Sequence, residues 1–184
     1  MGENFGTLRC TLLDRRSSVP VGGARVSCIW RDERVSALNA DARGAFLAEL
    51  PEGVYDLVVS ARGYLSLYLR GIGVLAGYQH TIVRGLIPGE GQIPEGDPAT
   101  AIAGYLTDRH GAAVRDVAVH AVGEGTVAAY TTRSDRAGAY VLHGVLPGTY
   151  DVSVRRGERS LAREIVAIPH VKELVRRDLR MPLA

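Results

Sequence analysis

The sequence predicts an all-β protein made of two copies of one sandwich domain. Three observations carry this reading: a long internal repeat, apolar and polar residues alternating with period two, and turn signals every eight to twelve residues. Residues 41–59 read Asp-Ala-Arg-Gly-Ala-Phe-Leu-Ala-Glu-Leu-Pro-Glu-Gly-Val-Tyr-Asp-Leu-Val-Val, and residues 135–154 repeat the pattern Asp-x-x-Gly-x-aromatic, Leu-Pro, Gly, Tyr-Asp. The offset stays at 93–96 residues, which gives copy one as 1–88 and copy two as 101–184. Residues 89–100, Gly-Glu-Gly-Gln-Ile-Pro-Glu-Gly-Asp-Pro-Ala-Thr, are rich in Gly and Pro and read as an acidic linker without ladder.

The elements follow in order. Leu8, Cys10 and Leu12 alternate with Thr7, Arg9 and Thr11, and Ala24, Val26, Cys28 and Trp30 with Arg25, Ser27 and Ile29. Each run is a strand with one buried face, and Ser17-Ser18-Val19-Pro20 is the turn between them. In Asp41-x-x-Gly44 and Asp135-x-x-Gly138 the carboxylate caps a turn whose glycine takes φ > 0. At Pro51-Glu-Gly53 and Pro147-Gly148 the proline presets φ and the glycine lets the chain reverse. Tyr55 and Tyr150 then bury their rings, with the hydroxyl on a backbone partner. Gly71-Ile-Gly-Val-Leu-Ala-Gly77 has the look of a phosphate loop, but strand-like sequence follows it, so its glycines read as a bend or bulge. Val171, Leu174, Val175 and Leu179 have helical spacing; their counterpart at 78–85 is β-branched, so both segments are read as strands.

Composition sets the outer limits. With 22 Lys plus Arg against 20 Asp plus Glu, the net charge of +2 gives no basis for a nucleic-acid partner. Only one of the 22 is lysine, Lys172, and Asn and Gln number two each, a bias that fits a GC-rich genome or avoidance of labile amides. No apolar run approaches 18 residues, so no membrane span is expected. The start has no signal-peptide pattern, and the expected location is the cytoplasm or an assembled particle. Cys10 and Cys28 share the inward parity; a disulfide between them would need an extracellular setting, and buried free thiols are the expected state.

Gly104-Tyr-Leu-Thr-Asp108-Arg-His-Gly111-Ala-Ala-Val114, Ser134-Asp135 and Leu146-Pro-Gly-Thr-Tyr150 resemble the carboxypeptidase regulatory-like domain family. Pro20-Val21-x-Gly23-Ala24 carries part of the same pattern in copy one. The resemblance implies a transthyretin-like, seven-stranded sandwich for each copy. It implies no particular activity, because such domains are appended to enzymes, adhesins and structural assemblies alike.

No catalytic site, cofactor site or metal site is expected. His170-Val-Lys-Glu173 matches the His-x-x-Glu of zinc carboxypeptidases, but no further His follows in the remaining eleven residues, whereas that class places its third ligand far downstream. The chain lacks the Tyr-Arg-Gly-Ser ending of hydroxyisourate hydrolases, the His-x-His of intradiol dioxygenases and a Gly-x-Ser-x-Gly elbow. The copies differ most where Tyr64-Leu-Ser-Leu-Tyr68-Leu69 faces Glu158-Arg-Ser-Leu-Ala-Arg163. With the leucines inward, Tyr64 and Tyr68 stand outside, and with Tyr78 they form the candidate interface. They would serve either a separate partner or packing against the other copy or the linker. The functional expectation is a non-catalytic structural or interaction module with protein partners in a larger assembly, for example a virion or injection apparatus. The alternative is a carbohydrate- or cell-surface-binding module.

Overall fold

A computed structural model describes residues 4–157, 159–170 and 172–182. Within these there is no helix. The chain divides into two units, Met1–Asp97 and Pro98–Ala184.

The first unit contains β1 (Phe5–Asp14), β2 (Arg25–Trp30), β3 (Glu33–Asn39), β4 (Ala45–Pro51), β5 (Gly53–Ser60), β6 (Leu67–Val74) and β7 (Gln79–Leu86). They form two sheets, ordered β4-β1-β7 and β3-β2-β5-β6. All neighbours are antiparallel except β1 and β7, which run parallel from Thr7↔Gln79 to Asp14↔Leu86. Period-two alternation places Leu8, Cys10, Leu12, Phe46, Leu50 and Ile82 of one sheet against Val26, Cys28, Leu57, Val59 and Ile72 of the other in a single buried cluster. Two sheets sharing one core make a β-sandwich.

The second unit contains β8 (Thr100–Thr107), β9 (Ala118–Gly123), β10 (Ala129–Arg133), β11 (Ala139–Val145), β12 (Gly148–Arg156), β13 (Arg159–Ile168), β14 (Leu174–Arg176) and β15 (Leu179–Arg180). Its sheets are β11-β8-β14, with β15 also on β8, and β10-β9-β12-β13. The strand order repeats that of the first unit. In place of one long parallel strand, β14 and β15 pair with β8 in two pieces, Leu174↔Ala101 to Arg176↔Ala103 and Leu179↔Leu106 to Arg180↔Thr107. The helix-like spacing at 171–179 therefore describes strands; Val171 lies outside the described residues. Ile102, Leu106, Val119, Leu142, Val152 and Val166 fill the second core.

Residues 89–100 differ from the expected linker. The unit boundary falls after Asp97, and the preceding stretch folds back on the first unit. The Ser66 amide donates to the Gly91 carbonyl, the Ile93 amide donates to the Ser66 carbonyl, and the Gly89 amide donates to the Gly63 carbonyl, all at 2.9–3.0 Å. Its glycines permit this return: Gly89 and Gly91 take φ of 153° and 107°, and Leu65 lies beneath both.

Candidate contact faces and the side chains that hold them

The repeated turn is built the same way in both units. Asp41 Oδ1 accepts from the amides of Arg43 and Ala45, both at 2.9 Å, and Asp135 Oδ1 from those of Ala137 and Ala139 at 2.8 Å. Gly44 has φ 69° and Gly138 φ 78°. A Cβ on either would stand 2.3 Å from the Leu12 carbonyl oxygen or 2.4 Å from that of Leu106. These positions need glycine for conformation and for space.

The second repeated feature is a tyrosine tied to the preceding loop. The Tyr55 hydroxyl donates to the Pro51 carbonyl at 2.8 Å, and that of Tyr150 donates to Leu146 at 3.0 Å, with both rings buried. Burial pushes the Tyr150 phenol up to about 12. The neighbouring glycines play unlike parts. Gly148 takes φ 151°, whereas Gly53 lies inside β5 without a positive φ. Gly53 is needed for packing: its Cβ would stand 3.3 Å from Trp30 Nε1, beside the Trp30–Tyr55 stack. The chain thus reverses at Pro51–Gly53 without a left-handed glycine.

Two further buried polar side chains of the first unit, Asp56 and His80, also have hydrogen-bond partners. Asp56 Oδ2 accepts from Arg70 Nη1 at 2.7 Å while Oδ1 accepts the amide of Gly71 at 3.1 Å, where Gly71 adopts φ 65° at a bulge. Arg70 Nη2 continues to Glu95. This ion-paired triad ties the folded-back stretch to β6. His80 Nε2 accepts the Leu75 amide at 3.0 Å. Cys10 and Cys28 are free buried thiols, raised to about 12 and about 11 by burial. His170 and Glu173 are exposed, and among the described residues no three His, Cys, Asp or Glu side chains gather as a metal site.

The tyrosines of the candidate interface separate. Tyr64 is not on an outer face: its ring packs on the first core and its hydroxyl donates to Asp14 Oδ2 at 3.0 Å. The amides of Ser17 and Arg16 also bind Asp14, and together these bonds hold its carboxyl below the usual range. Inward parity fails here because β6 begins only at Leu67, and residues 63–66 bridge to 88–92 instead. Tyr78 packs edge-on against buried His80, ring centroids 4.3 Å apart, so its ring is also committed to packing. Tyr68 alone points outward, on the β6 side of a cross-strand row Ala37–Ser27–Val58–Tyr68. Phe5, Leu47 and Val83 are exposed on the other sheet, spaced by Thr7, Arg9 and Thr11. Of the charged residues contrasted with the tyrosines, Glu158 lies outside the described residues. Arg163 holds Asp151 at 2.7 Å, which raises its own guanidinium further.

One difference between the units escaped linear reading. In the first unit a cross-strand row on the outer face is Asn39–Arg25–Ser60; the matching row in the second is Arg133–Ala118–Arg155. The next row, Ala37–Ser27–Val58, is matched by Thr131–His120–Ser153. Comparing the repeats position by position across strands, rather than along them, would have exposed it.

Residues 101–181 match the family model of the Carboxypeptidase regulatory-like domain. A search of curated proteins returns no match. Among solved structures, the chain is similar to the Bacillus anthracis TIE protein at 14% identity and TM-score 0.39, over 97% of this chain and 34% of that one. It is similar to a Streptococcal ancillary pilin at 12% and 0.35, over 98% and 63% respectively. The major pilin subunit of Bacillus cereus overlaps at 11% and 0.39, over 97% and 99%. The chain thus spans about a third and under two thirds of the first two. All these overlaps are loose.

Proposed function

We propose that this chain is a non-catalytic structural subunit, two tandem copies of the regulatory-like sandwich, assembled with other protein subunits into a larger particle such as a virion or injection apparatus. The matching strand order of the two units supports reading the first as a second copy of the family domain. One observation carries the functional reading: the row Ala37–Ser27–Val58–Tyr68 is an uncharged strip across the whole β3-β2-β5-β6 sheet. It is bordered by a half-buried tyrosine. Strips of small neutral residues beside a rigid aromatic ring suit protein contact, since tyrosine offers large area at low entropic cost. The carbohydrate reading loses its paired platform, because Tyr64 turns to the core.

The test is the size of the native assembly. Tagged protein in extracts of the producing cell should elute well ahead of a single chain, and Tyr68→Arg should move it to the single-chain position with an unchanged melting temperature. Elution of the unaltered protein as a single chain refutes the assembly reading. An unaltered elution of Tyr68→Arg refutes the choice of face.

A further inference from the structure

We propose that the outer face of the β10-β9-β12-β13 sheet holds an oxyanion-binding site, for a phosphate or sulfate group, between Arg133 and Arg155. A recess of about 160 Å³ opens there, lined by Asp116, Ala118, His120, Arg133, Arg155 and Arg156 among others. The register explains the opening. Ala118 lies directly between Arg133 on β10 and Arg155 on β12. With strands about 4.8 Å apart, the two arginine Cα atoms stand about 10 Å from each other, flanking a side chain of one methyl group. In the first unit the same row has its single arginine at the centre and neutral flanks, Asn39–Arg25–Ser60. The fold therefore does not require the arrangement.

The arginines are also positioned at a cost. Arg156 and Arg159 are directly opposed across the end of the β12–β13 hairpin, beside Arg155, and like charges so placed destabilise a sheet. Arg133 is preoriented by Asp116, which accepts Nε at Oδ1 and Nη2 at its backbone carbonyl, both at 2.7 Å. Nη1 takes no part in these two bonds, and Arg133 lines the recess. The bond from Arg133 also holds the Asp116 carboxyl below its usual range. His120 borders the same recess, its Nδ1 3.0 Å from Thr131 Oγ1. Guanidinium groups match tetrahedral oxyanions through paired N–H donors, and three of them with one acidic neighbour make a net cationic recess.

The test titrates the purified protein with sodium sulfate and with inorganic phosphate, followed by amide chemical shifts. Saturable shifts are expected on β9, β10 and β12. Arg155→Gln should weaken binding at least fivefold, and Ala118→Leu, which fills the recess without changing charge, should do the same. Arg43→Gln, an equal charge change on an exposed turn of the first unit, should leave it unaltered. Phenyl phosphate distinguishes the sources. Binding as tight as inorganic phosphate marks an esterified group as the ligand, and tenfold weaker binding marks the free ion. No saturable shift, or equal weakening by Arg43→Gln and Arg155→Gln, overturns the site.

Discussion

Replacing Gly138 tests the turn geometry on which both sandwiches depend, and a companion glycine separates its two demands. Gly111 and Gly138 have nearly the same conformation, φ 83° and 78°. A Cβ at Gly111 meets nothing within 4 Å, whereas at Gly138 it would stand 2.4 Å from the Leu106 carbonyl oxygen. That oxygen accepts the Val114 amide at 2.9 Å, and Gly138 itself receives the Leu106 amide at 2.7 Å. Relief of the contact must therefore move hydrogen-bonded backbone. Gly111→Ala should cost only the left-handed strain, about 1 kcal/mol. Gly138→Ala adds the displacement and should cost about 3 kcal/mol, and Gly138→Val more, because branching at Cβ disfavours positive φ further. For a unit of this size 1 kcal/mol is about 4–8 °C, so Gly138→Ala should melt about 12–24 °C lower by calorimetry. The two alanine variants melting within about 3 °C of each other would refute the steric half of the argument. Gly44→Val should behave like Gly138→Val.

Other perturbations follow the same logic. Arg70→Met strands the buried Asp56 carboxylate and should lower stability to urea by about 3 kcal/mol or more, most of it recovered in Arg70→Met with Asp56→Leu. Tyr150→Phe leaves the Leu146 carbonyl without its hydroxyl donor and should cost about 1 kcal/mol in urea unfolding. Tyr150 carries a raised phenol pKa, so its contribution is complete below about pH 10, the ordinary tyrosine value, and is lost as pH rises toward about 12; the difference in stability between Tyr150→Phe and the parent should shift across that window. Cys10 and Cys28 should resist a thiol-disulfide reagent at pH 8 in the folded protein and react fully in guanidinium, with rapid native labelling contradicting their burial.

Much of the fold is legible in the sequence because the signals are local. Alternation at Leu8, Cys10 and Leu12 identifies buried positions, and all three are fully buried. Asp41-x-x-Gly44 contains its whole turn within four residues and the following amide. What escapes linear reading is set by pairing between distant segments. Tyr64 turns inward because residues 63–66 bridge to 88–92, a partnership no alternation reveals. The stretch after β7 resembles a linker by composition, yet Glu95 is held by Arg70, twenty-five residues away. Gly53 reads as a turn glycine, but the proximity of Trp30, brought in from β2, decides its role. The arginine pair around Ala118 exists only once three strands are in register.

The central claim is that the chain works by docking other protein subunits on the strip ending at Tyr68. Its most direct measurement places a photoreactive phenylalanine analogue at position 68 in the producing cell, with position 43, on an exposed turn of the same unit, as the control. Irradiation should yield one protein adduct of defined mass from position 68 and none from position 43. Adducts from both positions alike, or from neither, would contradict the claim.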